Sequence, residues 1–296
     1  MLDYKLIEAL ARVVEEGGFD RGARKLHLTQ SAVSQRIKLL EEQTGQVLLT
    51  RTTPPTATVS GRRMIKHYLQ VKRLEDDLLG AMVATGREAF ATLSVGINED
   101  SLATWFIAAV KPFLKKERVL LDLRADDQDQ THKLLKDGEV IGCISALDKP
   151  VQGCRAIYLG RMDYRLVAAP AFAAQWFPNG LTTESVQQAP ALVFNRKDEL
   201  HLKLFAVALK AVPTDFPAHY LPSSEKFSDF ISAGLAYGML PTQQNAELLR
   251  SGQLVDLAPA HMVSVKLYWH CWNLASRLLE TFTEELVKAT QTALSR

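Results

Sequence analysis

The sequence predicts a small N-terminal domain of three helices and a β-wing, then one long helix, then a larger α/β domain. Apolar residues recur at helical spacing through the first 45 residues, with glycines between the segments. One narrow apolar seam then continues over residues 59–88, which indicates a single long helix. Beyond residue 91, short apolar runs typical of strands alternate with helical stretches, which favours an α/β architecture.

Size and composition indicate a globular protein with more than one domain. The chain has 296 residues, and its apolar segments are interrupted by charges too often for a membrane span. Its N-terminus is helical and carries acidic residues, unlike a signal peptide, so a cytoplasmic location is expected. Cys143, Cys154 and Cys271 are odd in number and widely spaced, which argues against a disulfide framework or a metal cluster. Neither a cofactor nor a metal ion is expected.

Glycines and capping residues divide the first 45 residues into three helices. The first ends at a Gly-Gly pair, and the second covers about residues 20–26, with Asp20 as its expected N-cap. The third begins near Gln30 or Ser31 and stops at Gly45. Its predicted buried face consists of Val33, Ile37 and Leu40. A turn of about three residues between the last two helices is the geometry of a helix-turn-helix.

A wing and a long helix follow. Residues 47–49 and 56–59 are predicted as short strands, separated by an extended turn at Pro54 and Pro55. The long helix is predicted to end at Gly86. Its apolar seam consists of Met64, Tyr68, Val71, Leu74, Leu78 and Met82. Such a seam packs either on its own domain or on a second copy of the chain, and its length favours dimerisation.

The remaining residues alternate between strand and helix signals, which predicts largely parallel sheets covered by helices. Strands are predicted at residues 92–97, 119–125, 140–145, 164–169, 191–194 and 263–269. Helices are predicted at residues 101–116, 129–137, 170–177, 199–211, 225–233, 242–250 and 274–294. The aromatic segment LYWHCW at 267–272 is interpreted as a strand with core residues rather than a ligand cage.

Charge is distributed unevenly, although the net charge is only +2. Residues 21–73 contain eleven basic residues and two acidic ones. A basic segment of this kind is expected where a protein binds nucleic acid, although charge runs also occur on ordinary solvated faces.

Small polar residues occupy the front of the third helix. A helix that enters the major groove needs short polar side chains toward base edges and basic ones toward phosphates. The candidates are Thr29, Gln30, Ser31, Ser34, Gln35, Arg36 and Lys38. Helix capping would explain Thr29 and Ser31 but not the whole set. The third helix is therefore predicted to read double-stranded DNA.

Residues 4–62 resemble the N-terminal domain of LysR-type transcriptional regulators, above all GGFDRGARKLHLTQSAVSQRIKLLEEQTGQVLLTR followed by TATVSG. The resemblance continues through the long helix and the strand–helix order, so it covers essentially the whole chain. Within the family, the segments SQRIK, RTTPP, NEDSLATWF, GEVIG, FPNG, SSE and LYWH resemble the lysine- and arginine-responsive regulators of amino-acid export. That subgroup is also described as inhibitors of chromosome initiation.

The resemblance implies a winged helix-turn-helix, a linker helix that dimerises, and a C-terminal two-lobed α/β effector domain like a periplasmic binding protein. The implied divisions are 1–58, 59–88 and 91–296, with lobe I at 91–162 and 268–296 and lobe II at 163–267. A cytoplasmic homodimer, or a homotetramer built as a dimer of dimers, would bind a pseudo-palindromic promoter. It would respond to a small-molecule effector and contact RNA polymerase, with no membrane partner.

The resemblance adds the wing arginine, Arg51, to the DNA-binding candidates. Many members of the family carry a second arginine in the wing, where this chain has Pro54 and Pro55. We therefore expect phosphate contact by the wing to depend mostly on Arg51.

Polar clusters after three predicted strands or strand-like segments mark the candidate effector site, because open α/β domains bind ligands at the carboxyl ends of strands. The candidates are Asn98, Asp100, Ser101, Asp126, Ser223, Ser224 and Glu225, with Asp127 and Asp129 beside them. The carboxylates suit an ammonium or guanidinium group, and the serines suit a carboxylate, so the expected effector is lysine or arginine. For each of these residues taken alone, helix capping is the favoured explanation, and only the cluster indicates a ligand.

Three alternatives remain open at this stage. The chain could be a replication-initiation inhibitor or architectural protein on A·T-rich DNA, or a LysR-type regulator of a different effector. An enzyme with a regulatory DNA-binding domain is disfavoured, because the sequence has no nucleophile with a base partner, no phosphate loop and no metal signature.

Overall fold

The computed structural model describes residues 2–82, 90–126, 131–210, 212–213 and 215–296. Its N-terminal elements are α1 Tyr4–Glu15, α2 Phe19–Lys25, α3 Gln30–Thr44, β1 Leu49–Thr50, β2 Thr56–Ala57 and α4 Val59–Met82. None of the helices in these ranges combines the length and apolar composition of a membrane span.

The three-helix domain forms as the sequence predicts. Val33, Ile37 and Leu40 are buried in the core that α1, α2 and α3 share. Gly45 ends α3 in the left-handed conformation. The expected N-cap of α2 is wrong, because α2 begins at Phe19 and Asp20 lies in its first turn, after Gly18. Phe19 packs against the core, so the helix starts one residue earlier.

The wing is a two-stranded antiparallel hairpin in which Leu49 pairs with Ala57. Its strands are shorter than predicted, and Val47 and Thr58 lie outside them. Thr58 Oγ1 instead accepts a hydrogen bond from Gly61 N at 3.1 Å, in the first turn of α4. The wing is therefore continuous with the start of the long helix.

The two halves of α4 have different environments. Tyr68 is buried against the helical core, with Met64 and Ile65 beside it. Farther along, the side chains of Leu74 and Leu78 are 40% and 60% exposed. The first half thus packs on its own domain, whereas the second half presents an apolar surface. The predicted end at Gly86 lies outside the described residues.

The larger domain contains a nine-stranded mixed sheet covered by helices. Its first elements are β3 Ala91–Asn98, α5 Glu99–Ser101, a π-helical turn Leu102–Phe106, α6 Ile107–Lys116, β4 Val119–Asp126, α7 Thr131–Asp137, β5 Gly142–Ser145 and β6 Cys154–Ala168. Then come α8 Pro170–Trp176, α9 Thr183–Gln188, β7 Ala191–Val193, α10 Leu200–Ala208 and β8 Ala218–Tyr220. A 3-10 turn Ser224–Lys226, α11 Phe227–Ser232, β9 Tyr237–Pro241, α12 Thr242–Arg250, β10 Val255–Asp256, β11 Val263–Trp272 and α13 Arg277–Ala293 complete it.

Two long central strands connect the ends of the sheet. The strand order is β4-β3-β5-β11-β6-β9-β7-β8, with β10 also paired to β6. The strands β3, β4 and β5 are parallel at one end, and β7, β8 and β9 are parallel at the other. Between them β6 and β11 run antiparallel, with a register shift between Leu267 and Tyr268. These two crossing strands give the domain its two lobes.

The prediction was incomplete in this domain. The strand expected at 164–169 is the end of the fifteen-residue β6, which begins with only a short, incompletely buried apolar run at 156–159 and then alternates half-buried polar and buried apolar residues over 161–166. The elements β8, β9, β10 and α9 were not predicted. The segment LYWHCW lies in β11, as predicted, with Trp269 and Trp272 fully buried.

Candidate functional site

The front of α3 is an exposed polar surface. Gln30, Ser31 and Gln35 are exposed, whereas Ser34 and Arg36 are half-buried. Val33 and Ile37, on the opposite face, hold the helix to the core. A helix with one buried face and short polar side chains on the other has the shape and the donors that base-edge recognition needs.

One candidate on this surface has a clear structural role. Thr29 is the N-cap of α3, and its Oγ1 accepts a hydrogen bond from Ala32 N at 3.2 Å. Its hydroxyl also lies 3.1 Å from Ser31 Oγ. Capping therefore accounts for Thr29 and restrains Ser31, and it does not account for the exposed Gln30 and Gln35.

The basic candidates surround this polar surface. Lys38 is exposed, and its Nζ lies 3.7 Å from Glu42 Oε1 on the next turn. An exposed pair of this kind contributes little stability and gives way easily to a phosphate. Arg51 is exposed immediately after β1 in the wing. Lys38 and Arg51 thus present positive charge on α3 and on the wing.

The second candidate site lies between the two lobes and centres on Asp100. Asp100 Oδ1 accepts a hydrogen bond from Ser224 Oγ at 2.5 Å, and Asp100 Oδ2 accepts one from Tyr164 Oη at 2.7 Å. Asp100 follows β3, Tyr164 belongs to the crossing strand β6, and Ser224 starts the 3-10 turn before α11. One carboxylate therefore joins both sides of the cleft to the strand that connects them.

Buried amides without partners lie beside this carboxylate. Asn98 is 2% exposed, and neither its Oδ1 nor its Nδ2 has a hydrogen-bond partner among the described residues. Gln244, at the start of α12, donates from Nε2 to Ser224 O at 3.1 Å, while its Oε1 is buried and unpaired in the same part of the chain. Buried polar atoms are normally paired, so these amides indicate room for a polar ligand.

The other candidates take distinct positions around the cleft. The Ser101 hydroxyl is fully buried and accepts a hydrogen bond from Trp105 Nε1 at 3.1 Å. The backbone of Asp126 pairs with Asn98 in the parallel register of β3 and β4. The side chain of Asp126, with residues 127 and 129, lies outside the described part of the chain.

The candidates in the second lobe differ in exposure. Ser224 is buried, Ser223 is half-buried and Glu225 is exposed to solvent. Asp100 and Ser224 are therefore brought into direct contact, and Asn98 ends β3 two residues before Asp100. Glu225 is the candidate least enclosed by the cleft.

Sequence reasoning missed two residues of this site, Tyr164 and Gln244. Tyr164 was assigned to a strand but not to the cleft, and Gln244 was assigned to a helix start. No local pattern marks either one, because their contacts join residues 64 and 20 positions apart. The crossing strand β6 places Tyr164 beside the polar cluster, and α12 places Gln244 there.

Electrostatics favour a cationic ligand group. Burial, followed by repulsion from Asp100, raises the pKa of Glu99 above its ordinary value. A positive charge on a nearby ligand would offset the repulsion between the Glu99 and Asp100 carboxylates at the start of α5. Within the described ranges, no group of three or more His, Cys, Asp or Glu residues could hold a metal ion. All three cysteines are free, and burial raises the pKa of Cys143 to about 12.

Family models match both parts of the chain. Residues 4–62 match the bacterial regulatory helix-turn-helix protein family of LysR type, and residues 86–291 match the LysR substrate binding domain. A relative in Pseudomonas fluorescens strain Pf0-1, the HTH-type transcriptional regulator ArgP, is 44% identical over 98% of this chain and 97% of its own. The ArgP regulator of Aeromonas salmonicida is 40% identical over 99% of this chain and 98% of its own.

Solved structures agree with the sequence relatives. ArgP from Mycobacterium tuberculosis has 38% identity and a TM-score of 0.90, covering 100% of this chain and 99% of that one. Full-length LysG from Corynebacterium glutamicum, with bound effector Arg, has 30% identity and a TM-score of 0.81, covering both chains completely. The fold and the regulatory function predicted from sequence are confirmed. The chain belongs to the LysR family of DNA-binding transcriptional regulators.

Proposed function

We propose that the cleft around Asp100 binds a basic amino acid, arginine or lysine, and that binding changes the affinity of the regulator for its promoter. The main support is the Asp100 carboxylate of lobe I, which bonds Tyr164 and Ser224 of lobe II near the unpaired Asn98 amide. A ligand guanidinium or ammonium would pair with this carboxylate, and the buried amides would receive the amino-acid head group. The relative LysG, with bound effector Arg, supports the same chemistry.

The switch follows from the position of Asp100. Its bonds to Ser224 and Tyr164 compete with any bond to a cationic ligand, so the ligand has a different affinity for different lobe arrangements. Only a ligand that distinguishes two arrangements can shift the balance between them. We infer that effector binding changes the angle between the lobes.

DNA binding is assigned to Gln30, Ser31, Ser34 and Gln35 for base edges, and to basic residues for phosphates. The basic set is Arg36, Lys38 and Arg51, with Thr29 capping the helix that presents them. The exposed second half of α4 is the proposed dimer contact. A dimer would present two α3 helices to half-sites about one turn of DNA apart, ~34 Å.

The remaining parts of the proposal follow the family resemblance. The regulator acts in the cytoplasm as a dimer or dimer of dimers, contacts RNA polymerase, and controls amino-acid export or metabolism. It acts by binding alone and catalyses no reaction. We also propose that the chain divides into a DNA-binding domain at 1–58, a linker helix at 59–88 and a two-lobed effector domain at 91–296.

Isothermal titration calorimetry on the full-length protein tests the effector assignment. We expect L-arginine or L-lysine to bind and L-glutamate not to bind. Asp100→Asn should weaken binding at least about tenfold, the size expected of a hydrogen bond to a charged group. Asp122→Asn is the matched control, because Asp122 is a β4 carboxylate paired with Arg124 and Ser94.

Two results would contradict the proposal. Equal arginine affinity in the wild type and in Asp100→Asn would remove Asp100 from the site. Failure of both arginine and lysine to bind would support a different effector, which a thermal-shift screen of the other amino acids would then identify.

A further inference from the structure

An arginine at the start of α4 joins the effector domain to the DNA-binding domain. Arg62 Nε lies 3.1 Å from Asp137 Oδ1, at the C-terminal end of α7. The same guanidinium donates from Nη1 to Ala57 O at 2.8 Å, and Ala57 belongs to wing strand β2. Arg62 thus bonds the wing and the effector domain at once.

Close packing accompanies this ion pair. Gly138 has a φ of +79°, and a Cβ there would lie 2.6 Å from Lys66 Cβ and 3.0 Å from Lys66 Cα. A glycine after a helix is commonly only a C-terminal cap, but a cap does not require such proximity to a second helix. One turn farther along α4, Leu69 packs against both hydrophobic cores. The contact between α4 and the effector domain is therefore a packed interface.

At its other end α7 is fixed to the strands that form the cleft. Thr131 Oγ1 donates to Ile144 O at 2.6 Å, and Leu135 is fully buried. The helix also packs over Gly96, whose missing side chain leaves room for Leu134 and Thr131. Gly96 lies in β3, the strand that ends at Asn98. A shift of β3 is expected to be transmitted to Asp137, because α7 packs rigidly on the sheet.

We propose that Asp137, an effector-domain residue, is a positioning residue for DNA binding. It fixes the Arg62 side chain, which in turn holds wing strand β2 through the Ala57 carbonyl. The wing carries Arg51, so the orientation of its phosphate-binding residue depends on a contact made by the effector domain. That dependence links the cleft to the DNA surface within one chain. The phosphate-binding role of Arg51 and the response to arginine rest on the proposed function, whereas the contact from Asp137 to the wing does not.

Hydrogen exchange on the effector-free, full-length protein tests the positioning role directly. In Asp137→Asn, amides of the wing, residues 47–58, should exchange about threefold faster, the size expected from losing an exposed ion pair. Glu139→Gln is the matched control, because Glu139 lies two residues away and pairs with Arg124 inside the effector domain at 2.9 Å. In an Arg62→Ala background, Asp137→Asn should add nothing. Wild-type wing exchange in Asp137→Asn, or equal acceleration in Glu139→Gln, would overturn the proposal.

A second measurement separates positioning from effector binding. Fluorescence anisotropy would follow a DNA fragment selected by the wild type from a random-sequence pool, with and without L-arginine. We expect the arginine affinity of Asp137→Asn to lie within twofold of that of the wild type. The change in DNA affinity that arginine causes should be at least threefold smaller in Asp137→Asn than in the wild type. A full response would contradict the coupling. If arginine does not bind even the wild type, the proposed effector is wrong, whereas the exchange result still decides the role of Asp137.

Discussion

The DNA-binding surface and the effector cleft are built in opposite ways. Thr29 to Lys38 lie at the start of one helix, held by a core that α1, α2 and α3 form with Leu48, Leu49 and Tyr68. The cleft depends instead on Asp100, which bonds Tyr164 and Ser224, 64 and 124 residues away. A surface on one helix can be recognised from local periodicity, whereas a cleft between crossing strands exists only after the sheet has formed.

Substitution of Gly61 or of Gly142 should have the largest effect on stability, and each substitution should disrupt only one of the two regions. A Cβ at Gly61 would lie 2.0 Å from Leu48 O beneath the wing, and one at Gly142 would lie 2.2 Å from Trp269 Cη2 in the effector core. Each Gly→Ala change should destabilise its domain by about 3 kcal/mol, because backbone or a buried indole must move. We expect Gly61→Ala to lose DNA binding and keep effector binding.

Thermal unfolding, monitored with one probe for each domain, measures the change in melting temperature. Gly142→Ala should lose effector binding and keep DNA binding. Gly252→Ala is the control: its φ is +75° but nothing lies within 4 Å, so only about 1 kcal/mol of backbone strain is expected. A wild-type melting temperature for Gly61→Ala would show that the wing does not seat on α4 as described.

Acid should weaken the effector domain more than the helical domain. Burial lowers the pKa of His201 to about 4, from 6.5, and neither ring nitrogen has a partner among the described residues. The unfolded chain binds a proton below pH 6.5 and the folded chain does not, so stability falls as the pH drops from 6.5 toward 4. The expected slope is about 1.4 kcal/mol per pH unit.

The variant His201→Phe should lose this slope, since Phe205, Phe216 and Tyr237 already surround the ring. Denaturant unfolding at pH 7 and pH 5 measures the change. Some slope should persist from His270, whose pKa burial also lowers. An unaltered slope in His201→Phe would refute the assignment.

The smallest effects should separate base contacts from phosphate contacts on α3. Gln35→Ala should cost about 1–3 kcal/mol on the preferred sequence and less on others. Lys38→Ala should weaken binding to all DNA and reduce the salt slope by about one. Competition anisotropy over a range of salt concentrations distinguishes them. The reverse pattern would mean that the exposed face of α3 does not enter the groove as proposed.

The same contrast explains what could be predicted. The three helices and the capping by Thr29 follow from apolar spacing and short-range hydrogen bonds, and both were predicted. The alternating strands and helices of the effector domain were largely predicted. The length of β6 was not, because its apolar run at 156–159 is short and the residues that follow alternate between half-buried polar and buried apolar side chains.

At the candidate cleft the polar clusters after β3 and before α11 were visible in the sequence, since polar residues at strand ends are a local signal. Their connection was not visible. Tyr164 looks like an ordinary strand residue and Gln244 like a helix residue, until the folded domain places Tyr164 against Asp100 and Gln244 against Ser224. Likewise, nothing near Asp137 in the sequence indicates that it meets Arg62, 75 residues earlier.

The central claim is that one chain reads DNA with α3 and senses a basic amino acid through Asp100. The most direct test is the DNA affinity of the full-length wild type and of Asp100→Asn, measured by anisotropy with increasing L-arginine. We expect arginine to change the DNA affinity of the wild type. Asp100→Asn should bind the same DNA with an affinity that arginine does not change. An arginine response in Asp100→Asn equal to that of the wild type would contradict it.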